Sequence, residues 1–284
     1  MANDATAPEP GFSGLLDRGL AILELLSGSA NGMTLTTISD TLRIPRSATH
    51  RLLASLFEHG YLRQEQDRGV YVLTTKLQVL AFRHLASTGY VDAAQQVLNR
   101  LAKETGELVR LAVADEKQLT WVARAQGART GLRYDPDMGM VAQLSCSATG
   151  YTWLSHMEDR EAIAVIEAQG VGSRDEYGPQ APQTIEEVLS RVQTARSLGY
   201  SVAVQTFTDW MSAIATTIVN PYNGRPIGVV SVAGPVSRLP EARLHELAPL
   251  VLEAAQEIGK LVPGSPALTN PVNAADAAKE GVPG

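Results

Sequence analysis

The sequence has few of the residues from which disulfide frameworks and metal sites are built. Its 284 residues include one cysteine, Cys146, which excludes an intrachain disulfide and any cysteine-based zinc cluster. The five histidines are scattered, and none stands in an HExxH or similar metal-ligand spacing. We therefore expect no metal and no cofactor.

The sequence also has no long hydrophobic run, and we expect no secretory leader. The longest uncharged apolar stretch, 227–236, is too short and too rich in glycine and proline to cross a membrane. Residues 1–11 have neither the basic segment nor the apolar segment of a secretory signal. Hydrophobic residues make up 44% of the chain, which is enough to form cores and excludes disorder over its whole length. We expect a cytoplasmic protein of two domains with no membrane partner.

The signatures of common enzymes are absent as well. The sequence has no G-x-S-x-G nucleophile elbow, no GxxxxGK[ST] phosphate loop and no G-x-G-x-x-G fingerprint. Ser147, His156 and Asp159 are close in sequence, but a catalytic triad is defined by its geometry. A hydrolase that uses Ser147 and His156 stays a distant alternative, and we do not expect an enzyme.

The first third of the chain has the pattern of a winged helix-turn-helix. Three helical segments, 15–27, 36–43 and 45–58, are followed by β-rich runs at 61–62 and 70–73. A formal net charge of −6 argues against nucleic-acid binding by the whole surface, so charge has to be examined locally. Three helices and a hairpin in this order are typical of winged DNA-binding domains.

One face of the third helical segment is suited to DNA. A turn of about 100° per residue groups Ser47, His50 and Arg51, with Arg46 on the flank, opposite a leucine-rich face. The planar fork of arginine matches phosphates and guanine edges. The alternatives are a solvated helix face, wing arginines that serve solubility, and threonines that only cap a helix. The predicted DNA-binding residues are Thr36, Thr37, Arg46, Ser47, Thr49, His50, Arg51, Arg63 and Arg68.

The remainder of the chain mixes strands with segregated helices, which indicates an α+β sensor-like domain. Strands are predicted at 108–114 and 118–125, and three more lie between 200 and 234. Helices are predicted at 147–157, 159–168, 184–198 and 240–261.

Several of these segments resemble the IclR-type transcriptional regulators. Three segments are similar to the amino-terminal domain of that family: DRGLAILELL (17–26), LTTISDTLRIPRSATHRLLASLFEHGYL (35–62) and GVYVLTTKL (69–77). Four further segments are similar to later parts of the family's sequences: ETGELVRLAVAD (104–115), LSCSATGYTWLS (144–155), GYSVAVQTFTDWMSAIATTI (199–218) and GRPIGVVSVAGPVSRL (224–239). The resemblance covers about 15–262, and the order and spacing of the motifs make it specific.

The resemblance implies an α+β chain with a winged helix-turn-helix domain, a connecting helix and a GAF/PAS-like effector-binding domain. It also implies pairing of the chain into dimers or dimers of dimers. The boundaries that we predict are a flexible tail at 1–11, the DNA-binding domain at 12–75, the connecting helix at 76–90, the effector-binding domain at 91–262 and a second flexible tail at 263–284.

The chain departs from the family pattern where an effector would bind. Tyr151 replaces the usual lysine after Gly150, the frequent cysteine of the penultimate strand corresponds to about Ala213, and only Asp209 is left of an acidic stretch. These exchanges favour a more apolar ligand than a small keto acid.

We predict that the anionic or polar head of the effector binds free amides at the start of a helix near Ser147, and that its body contacts apolar residues. The alternatives are that Ser147 only caps its helix and that Cys146 is simply a small buried residue. The predicted effector-binding residues are Tyr134, Ser145, Cys146, Ser147, Ala148, Tyr151, Asp209, Trp210, Met211 and Ile214.

These features together predict a ligand-responsive regulator that represses a catabolic operon and is released by a small organic effector, a carboxylate or an aromatic compound. Its partners would be double-stranded operator DNA, the effector and further copies of itself. The alternative is a DNA-binding protein whose carboxy-terminal domain only oligomerises.

Overall fold

The computed structural model describes residues 14–65, 67–88, 90–115, 118–133 and 141–261. The chain divides between residues 84 and 85 into two compact units, which are considered separately below. The two predicted tails and the predicted effector residue Tyr134 lie outside the described residues. Among the described helices, none is both long and apolar enough to cross a lipid bilayer.

The first unit is a three-helix domain with a small antiparallel sheet. Its sheet has the strand order β1-β3-β2, so the sequence-predicted hairpin gains a two-residue third strand. The elements are α1 (Leu15–Ser27), β1 (Met33–Thr34), α2 (Leu35–Leu42), α3 (Arg46–Glu58), β2 (Leu62–Glu65) and β3 (Val70–Leu73), and α4 (Lys76–Thr88) extends across the division. Its buried core consists of Ile22, Leu26, Ile38, Leu52, Leu53 and Leu62.

The turn between α2 and α3 is held by backbone and side-chain hydrogen bonds. Arg43 takes a left-handed conformation at φ 53°, which ends α2. The buried Ser39 hydroxyl then donates to the Ile44 carbonyl at 2.7 Å, and the Ile44 amide donates back to the Ser39 carbonyl at 3.0 Å. These bonds fix the angle at which α3 leaves α2, and that angle determines which face of α3 reaches solvent.

The second unit is a five-stranded antiparallel sheet with helices on both faces. The strand order is β5-β4-β8-β7-β6. Helices α5 and α9 pack on one face, and α6 packs on the other with α8 behind it. The elements are α5 (Tyr90–Thr105), β4 (Leu108–Asp115), β5 (Gln118–Gln126), α6 (Ala148–Leu154), α7 (Asp159–Gln169), α8 (Ile185–Leu198), β6 (Ser201–Val204), β7 (Met211–Val219), β8 (Pro226–Pro235) and α9 (Glu241–Lys260).

A β-bulge in the β4–β5 pair changes which face of the sheet β5 presents. The register pairs Leu111 with Ala123 and Ala112 with Trp121, so that Val122 is the extra residue. Ala123 consequently packs in the core beneath α5 and α9, whereas Trp121, two positions away, packs in the core beside α6. Without the bulge, strand alternation would put both side chains on the same face.

Candidate DNA interface and effector cavity

The amino-terminal half of α3 presents an exposed, basic surface. The side chains of Arg46, Ser47, His50 and Arg51 are all exposed, and α3 has no acidic residue before Glu58. The opposite face carries Leu52 and Leu53 into the core. The structure therefore brings four of the sequence-predicted DNA-binding residues together on one outward surface at the start of the second helix of the helix-turn-helix.

Thr49 does not belong to this surface, and its prediction as a DNA-reading residue is corrected. It is completely buried, and its hydroxyl lies 3.3 Å from the Pro45 carbonyl and 3.4 Å from the Ile44 carbonyl, to which it donates. The helical spacing that groups Ser47, His50 and Arg51 on one face puts Thr49 on the opposite, leucine-rich face, and the structure agrees with that grouping. Thr49 stabilises the turn instead of facing a groove.

The two predicted threonines of α2 also differ in their surroundings. The cap of α2 is Thr34, whose hydroxyl accepts a hydrogen bond from the Thr37 amide at 3.1 Å. The Thr37 hydroxyl lies 2.9 Å from the Thr34 hydroxyl, and Thr36 is exposed without a capping role. Neither predicted residue is the helix cap, and both lie on the outer surface of the first turn.

The wing carries Arg63 and Arg68, and both bind the same carboxylate. Glu65 accepts from the Arg68 Nε at 3.0 Å, and one of its oxygens lies 2.9 Å from an Arg63 nitrogen. The hydrogen bond from Arg68 and the positive charges of both arginines lower the pKa of Glu65, so this carboxylate is ionised at neutral pH. The wing thus presents two exposed arginines, and the single carboxylate of Glu65 neutralises half of their combined charge.

Local charge distinguishes the first unit from the chain as a whole. Residues 14–84 contain eight basic and six acidic residues, against a net charge of −6 for the full sequence. A local excess of basic residues on a helix-turn-helix is the electrostatic pattern of a DNA-binding surface.

The second unit contains a cavity of about 240 Å³ between the sheet and the start of α6. Its walls are mainly apolar, with a few polar groups and one formally charged side chain among the described lining residues. Three sequence-predicted effector residues line it: Ser147, Ala148 and Met211. The other described lining residues are Arg110, Trp121, Val141, Ala142, Gln143, Thr149, Tyr177, Ala203, Thr206, Phe207, Ala213, Ser231 and Ala233.

The two serines at the start of α6 are already hydrogen-bonded within the protein. The Ser147 hydroxyl accepts from the Gly150 amide at 3.0 Å and donates to the Gln143 carbonyl, so it caps its own helix. Ser145 is buried outside the cavity wall, and its hydroxyl accepts from the Gly172 amide at 3.1 Å. The helix has seven residues, too few for a strong dipole at its end. The Ser145 and Ser147 hydroxyls therefore have partners of their own, and the predicted role of the Ala148 amide stays a prediction.

Most of the predicted apolar contacts also lie outside the cavity wall. Ile214 is buried in the core beneath α9, because it stands three positions after Met211 in a strand and so faces the other side of the sheet. Asp209 is exposed and Trp210 is half-buried in the loop before β7. Tyr151 and Cys146 are buried beside the cavity without lining it.

Burial controls the chemistry of Cys146 and Tyr151. Removal from water raises the pKa of the Cys146 thiol to about 12. The same effect, reinforced by Cys146, raises the pKa of the Tyr151 hydroxyl above its ordinary value. Both groups are therefore neutral at physiological pH, and Cys146 has no thiolate character to make it a nucleophile.

The residues of the alternative hydrolase do not form a triad. Ser147 precedes α6 and His156 follows it, so about 10 Å of helix separates them. Asp159 accepts a hydrogen bond from the Arg196 guanidinium at 3.0 Å instead of orienting His156. Catalytic groups of a triad must lie within hydrogen-bonding reach of one another, and these do not.

Sequence analysis missed the residues that give the cavity its character. The Arg110 guanidinium stacks over the Trp121 ring, 3.7 Å from the ring centroid. Tyr177 and Phe207 form an aromatic wall with ring centroids 5.7 Å apart. Arg110 interrupts an apolar strand, and a charge in such a strand was the one sequence signal that would have drawn attention to it.

Close backbone packing brings the two rings of that aromatic wall together. The Gly178 amide donates to the Thr206 carbonyl at 3.1 Å, and a Cβ at Gly178 would lie 2.1 Å from the Gln205 carbonyl oxygen. The segment that carries Tyr177 can therefore reach the segment that carries Phe207 only because residue 178 has no side chain.

Two family models match the chain. The model described as the bacterial transcriptional regulator IclR C-terminal domain matches residues 82–260, and that of the IclR helix-turn-helix domain matches residues 15–66. Together they include α3 and the cavity described above.

Individual proteins of known name are similar over nearly the same length. The transcriptional repressor IclR of Escherichia coli is 26% identical over 89% of this chain and 92% of its own. The acetate operon repressor of Salmonella typhimurium is 26% identical over 89% and 91%. The crystal structure of an IclR homolog from Microbacterium hydrocarbonoxydans, complexed with 4-hydroxybenzoate, superposes with a TM-score of 0.74 at 20% identity, covering 89% of this chain and 100% of that one.

Proposed function

The chain belongs to the IclR family of bacterial transcriptional regulators, and we propose that it represses a catabolic operon and leaves its operator when a small organic effector binds. It is a DNA-binding transcriptional regulator rather than an enzyme, as are the curated relatives named above. Repression is supported by those relatives, which are both repressors, one of them of an acetate operon. The observation that carries the proposal is the exposed basic face of α3 in a helix-turn-helix.

The proposed DNA interface consists of α3 and the wing. In helix-turn-helix proteins the amino-terminal residues of the second helix contact base edges in the major groove. Arg46, Ser47, His50 and Arg51 occupy that position and are exposed. Arg63 and Arg68 lie on the wing, where phosphates of the neighbouring backbone would compete with Glu65 for their guanidinium groups.

Replacing Arg46 tests this interface. If Arg46 makes a bidentate base contact, Arg46→Ala weakens operator binding by about 1–3 kcal/mol in a gel-shift titration at fixed salt. The matched control is Arg160→Ala, which removes the same charge from an exposed helical position in the second unit. Equal operator affinity for Arg46→Ala and the wild type would exclude Arg46 from the interface.

The proposed effector site is the cavity of the second unit. Ligand sites are mostly apolar with a few placed polar groups, and this cavity combines aromatic walls with Arg110, Thr206 and Ser231. The structural neighbour complexed with 4-hydroxybenzoate supports a small carboxylate or aromatic effector in this fold. An open cavity also favours a sensor over the alternative in which this domain only oligomerises.

A thermal-shift screen with small carboxylates and aromatic compounds tests the effector site, since a ligand that binds the native state raises its melting temperature. We expect at least one such compound both to raise the melting temperature and to release operator DNA in a gel shift. If compounds of these classes do neither, the oligomerisation alternative is favoured.

We also propose that the chain acts as a homodimer or a dimer of dimers in the cytoplasm, where its operator lies. Leu15, Leu16 and Leu20 of α1 are exposed, the first two by about 70%. A contiguous apolar surface of this kind on a small domain is typical of an interface with another chain. A monomer in light scattering at micromolar concentration would contradict the proposal.

A further inference from the structure

Two residues other than glycine take a left-handed backbone conformation in the described part of the chain. They are Arg43, with φ 53°, and Gln205, with φ 54°. A side chain in this conformation crowds the following carbonyl oxygen, which is why glycine is the usual residue there. An exception persists where the surrounding structure or the function requires that particular side chain. The two residues can therefore be compared by what their side chains contact.

The side chain of Gln205 has a role within the fold. Its amide nitrogen donates to the Asp209 carbonyl, and its backbone amide donates to the Met211 carbonyl at 2.9 Å. Its own carbonyl accepts from the Gln180 amide at 3.0 Å. Internal hydrogen bonds thus hold the loop between β6 and β7 and account for a glutamine at this position.

The side chain of Arg43 has no comparable role. It is exposed, and it forms neither a hydrogen bond nor an ion pair with any residue that the structure describes. The backbone amide of Arg43 donates to the Asp40 carbonyl at 3.4 Å and so closes the end of α2. Glycine would supply the same backbone bond without the crowding. Contacts within the described chain therefore do not account for an arginine here.

The position of Arg43 brings it close to the proposed DNA interface. Arg43 stands in the turn of the helix-turn-helix, three residues before Arg46, so its Cα lies within about 10 Å of the first residue of α3. The exposed basic face of α3 begins at that residue. The two strands that border a DNA groove each carry a phosphate for roughly every 3.4 Å of helix axis. When this end of α3 enters a major groove, the bordering phosphates are suitable partners for the Arg43 guanidinium.

From these observations we infer that Arg43 binds a phosphate of the DNA backbone, and that the left-handed arginine is retained because this charge is needed for binding. The inference rests on the proposed interface of α3. It adds a contact that positions the helix without reading sequence, because phosphate contacts carry no base information. Arginine suits this role, since its planar fork donates parallel hydrogen bonds to phosphate oxygens.

Three substitutions at residue 43 of the full-length protein separate the charge from the backbone conformation. Arg43→Gly removes the charge and relaxes the backbone, Arg43→Gln removes the charge and keeps the crowding, and Arg43→Lys keeps both. The control is Arg160→Gln, which removes an exposed arginine from α7 in the second unit.

DNA binding is measured by fluorescence anisotropy at several salt concentrations between about 50 and 200 mM. One probe is a random-sequence duplex of about 30 base pairs, roughly three helical turns. The other is the tightest-binding duplex selected from that random pool. The first probe reports binding without sequence recognition, and the second reports recognition as well.

We expect Arg43→Gly and Arg43→Gln to bind both duplexes about 3- to 10-fold more weakly for each bound copy of the chain. The slope of log affinity against log salt should become shallower by about one per bound copy. Arg43→Lys and Arg160→Gln should keep the wild-type slope, because the first retains the charge and the second lies outside the interface.

Thermal unfolding shows that this loss of binding is not a loss of folding. Arg43→Gly should melt about 2–6 °C above the wild type, because relief of the crowding exceeds the added freedom of glycine in the unfolded chain. A melting temperature below that of the wild type would contradict the inference, since the arginine would then be retained for the stability of the turn.

Three binding results would also overturn the inference. They are a wild-type slope in both Arg43→Gly and Arg43→Gln, an equal loss of slope in Arg43→Lys, and a loss confined to the selected duplex. A failure of the wider interface is distinguishable, because Arg46→Ala would then also leave the affinity for the selected duplex unchanged. If Arg46→Ala weakens that binding while the variants at residue 43 do not, the interface stands and the role of Arg43 is wrong.

Discussion

The two units of this protein put their functional residues in opposite environments. In the first unit, Arg46, Ser47, His50 and Arg51 are exposed and contribute nothing to the six-residue core. In the second, the cavity residues Trp121, Ala148 and Ala203 are themselves members of a hydrophobic core. The residues proposed to bind DNA are therefore separable from the core of the first unit, whereas those proposed to bind an effector are part of the core of the second unit.

This difference follows from the size of the partners. A DNA groove admits a helix from outside, so the reading residues need only project from a stable scaffold. A small molecule binds tightly only when it is largely enclosed, so its site has to be part of the packing. Substitutions in the two units should therefore have different consequences for stability and for binding.

The largest effect is expected from a cavity in the core of the first unit, at a residue that lies away from the exposed basic face of α3. Leu53 is fully buried there, and Leu53→Ala should destabilise this unit by about 2–5 kcal/mol and abolish operator binding. Urea denaturation followed by circular dichroism measures the free energy of unfolding. Ligand binding to the second unit should persist if the two units are energetically separate.

Leu53→Met is the matched control, because a swap of similar volume costs less than about 1.5 kcal/mol. The comparison fails if Leu53→Ala also eliminates ligand binding, since the units would then unfold together.

A second test concerns an ion pair of the effector-binding unit. Glu107 is 5% exposed, and its carboxylate accepts hydrogen bonds from Arg238, one of them at 2.8 Å. Arg238→Ala leaves that carboxylate buried without its partner, and we expect a loss of about 1–3 kcal/mol in the free energy of unfolding. The lower half of this range is favoured because Arg238 itself is 37% exposed, which screens the pair.

Arg243→Ala is the control for this pair, since Arg243 binds Glu246 at 2.8 Å on the exposed surface of α9. Surface pairs of this kind contribute about 0–1 kcal/mol. Equal losses in the two variants would mean that burial of Glu107 has no energetic consequence.

A smaller effect is expected on the wing. Glu65→Gln removes the carboxylate that binds Arg63 and Arg68, and leaves both arginines available to phosphates. Operator affinity should rise at low salt, and the slope of log affinity against log salt should steepen by about one. Fluorescence anisotropy titrations at several salt concentrations between about 50 and 200 mM measure this slope. A slope equal to that of the wild type would indicate that the wing does not contact DNA.

The smallest effect is expected in the reactivity of the folded protein at Cys146, because burial raises the pKa of its thiol to about 12. At pH 8 the folded protein should not react with a thiol reagent, whereas the unfolded chain, with a thiol pKa of about 8.5, should react readily. Because the pKa is raised in the folded state, the thiol's contribution to stability is complete below about pH 8.5 and is lost as the pH rises further. Rapid labelling of the folded protein would contradict the burial of Cys146.

Local sequence patterns were enough to predict the parts of this structure that do not depend on tertiary packing. Helical spacing predicted α3 and its exposed residues, because a helix has a fixed geometry whatever it packs against. The same spacing puts Thr49 on the leucine-rich face, so its prediction as a DNA-reading residue went against the pattern, and its burial against the α2–α3 turn agrees with the pattern. Strand alternation alone puts Met211 and Ile214 on opposite faces of β7, so the sequence was enough to separate these two predicted effector residues.

The effector cavity was decided by tertiary structure. Arg110 and Ser231 meet only because β4 pairs with β8 in one register, and Trp121 joins them only because the bulge at Val122 reverses the face of β5. The register of β4 with β8 depends on a strand that is distant along the chain, so no local pattern encodes it. The bulge depends on how β5 pairs with β4, which the alternation within β5 alone does not show. The proposed DNA-binding surface was therefore readable from sequence, whereas the proposed effector cavity required the folded sheet.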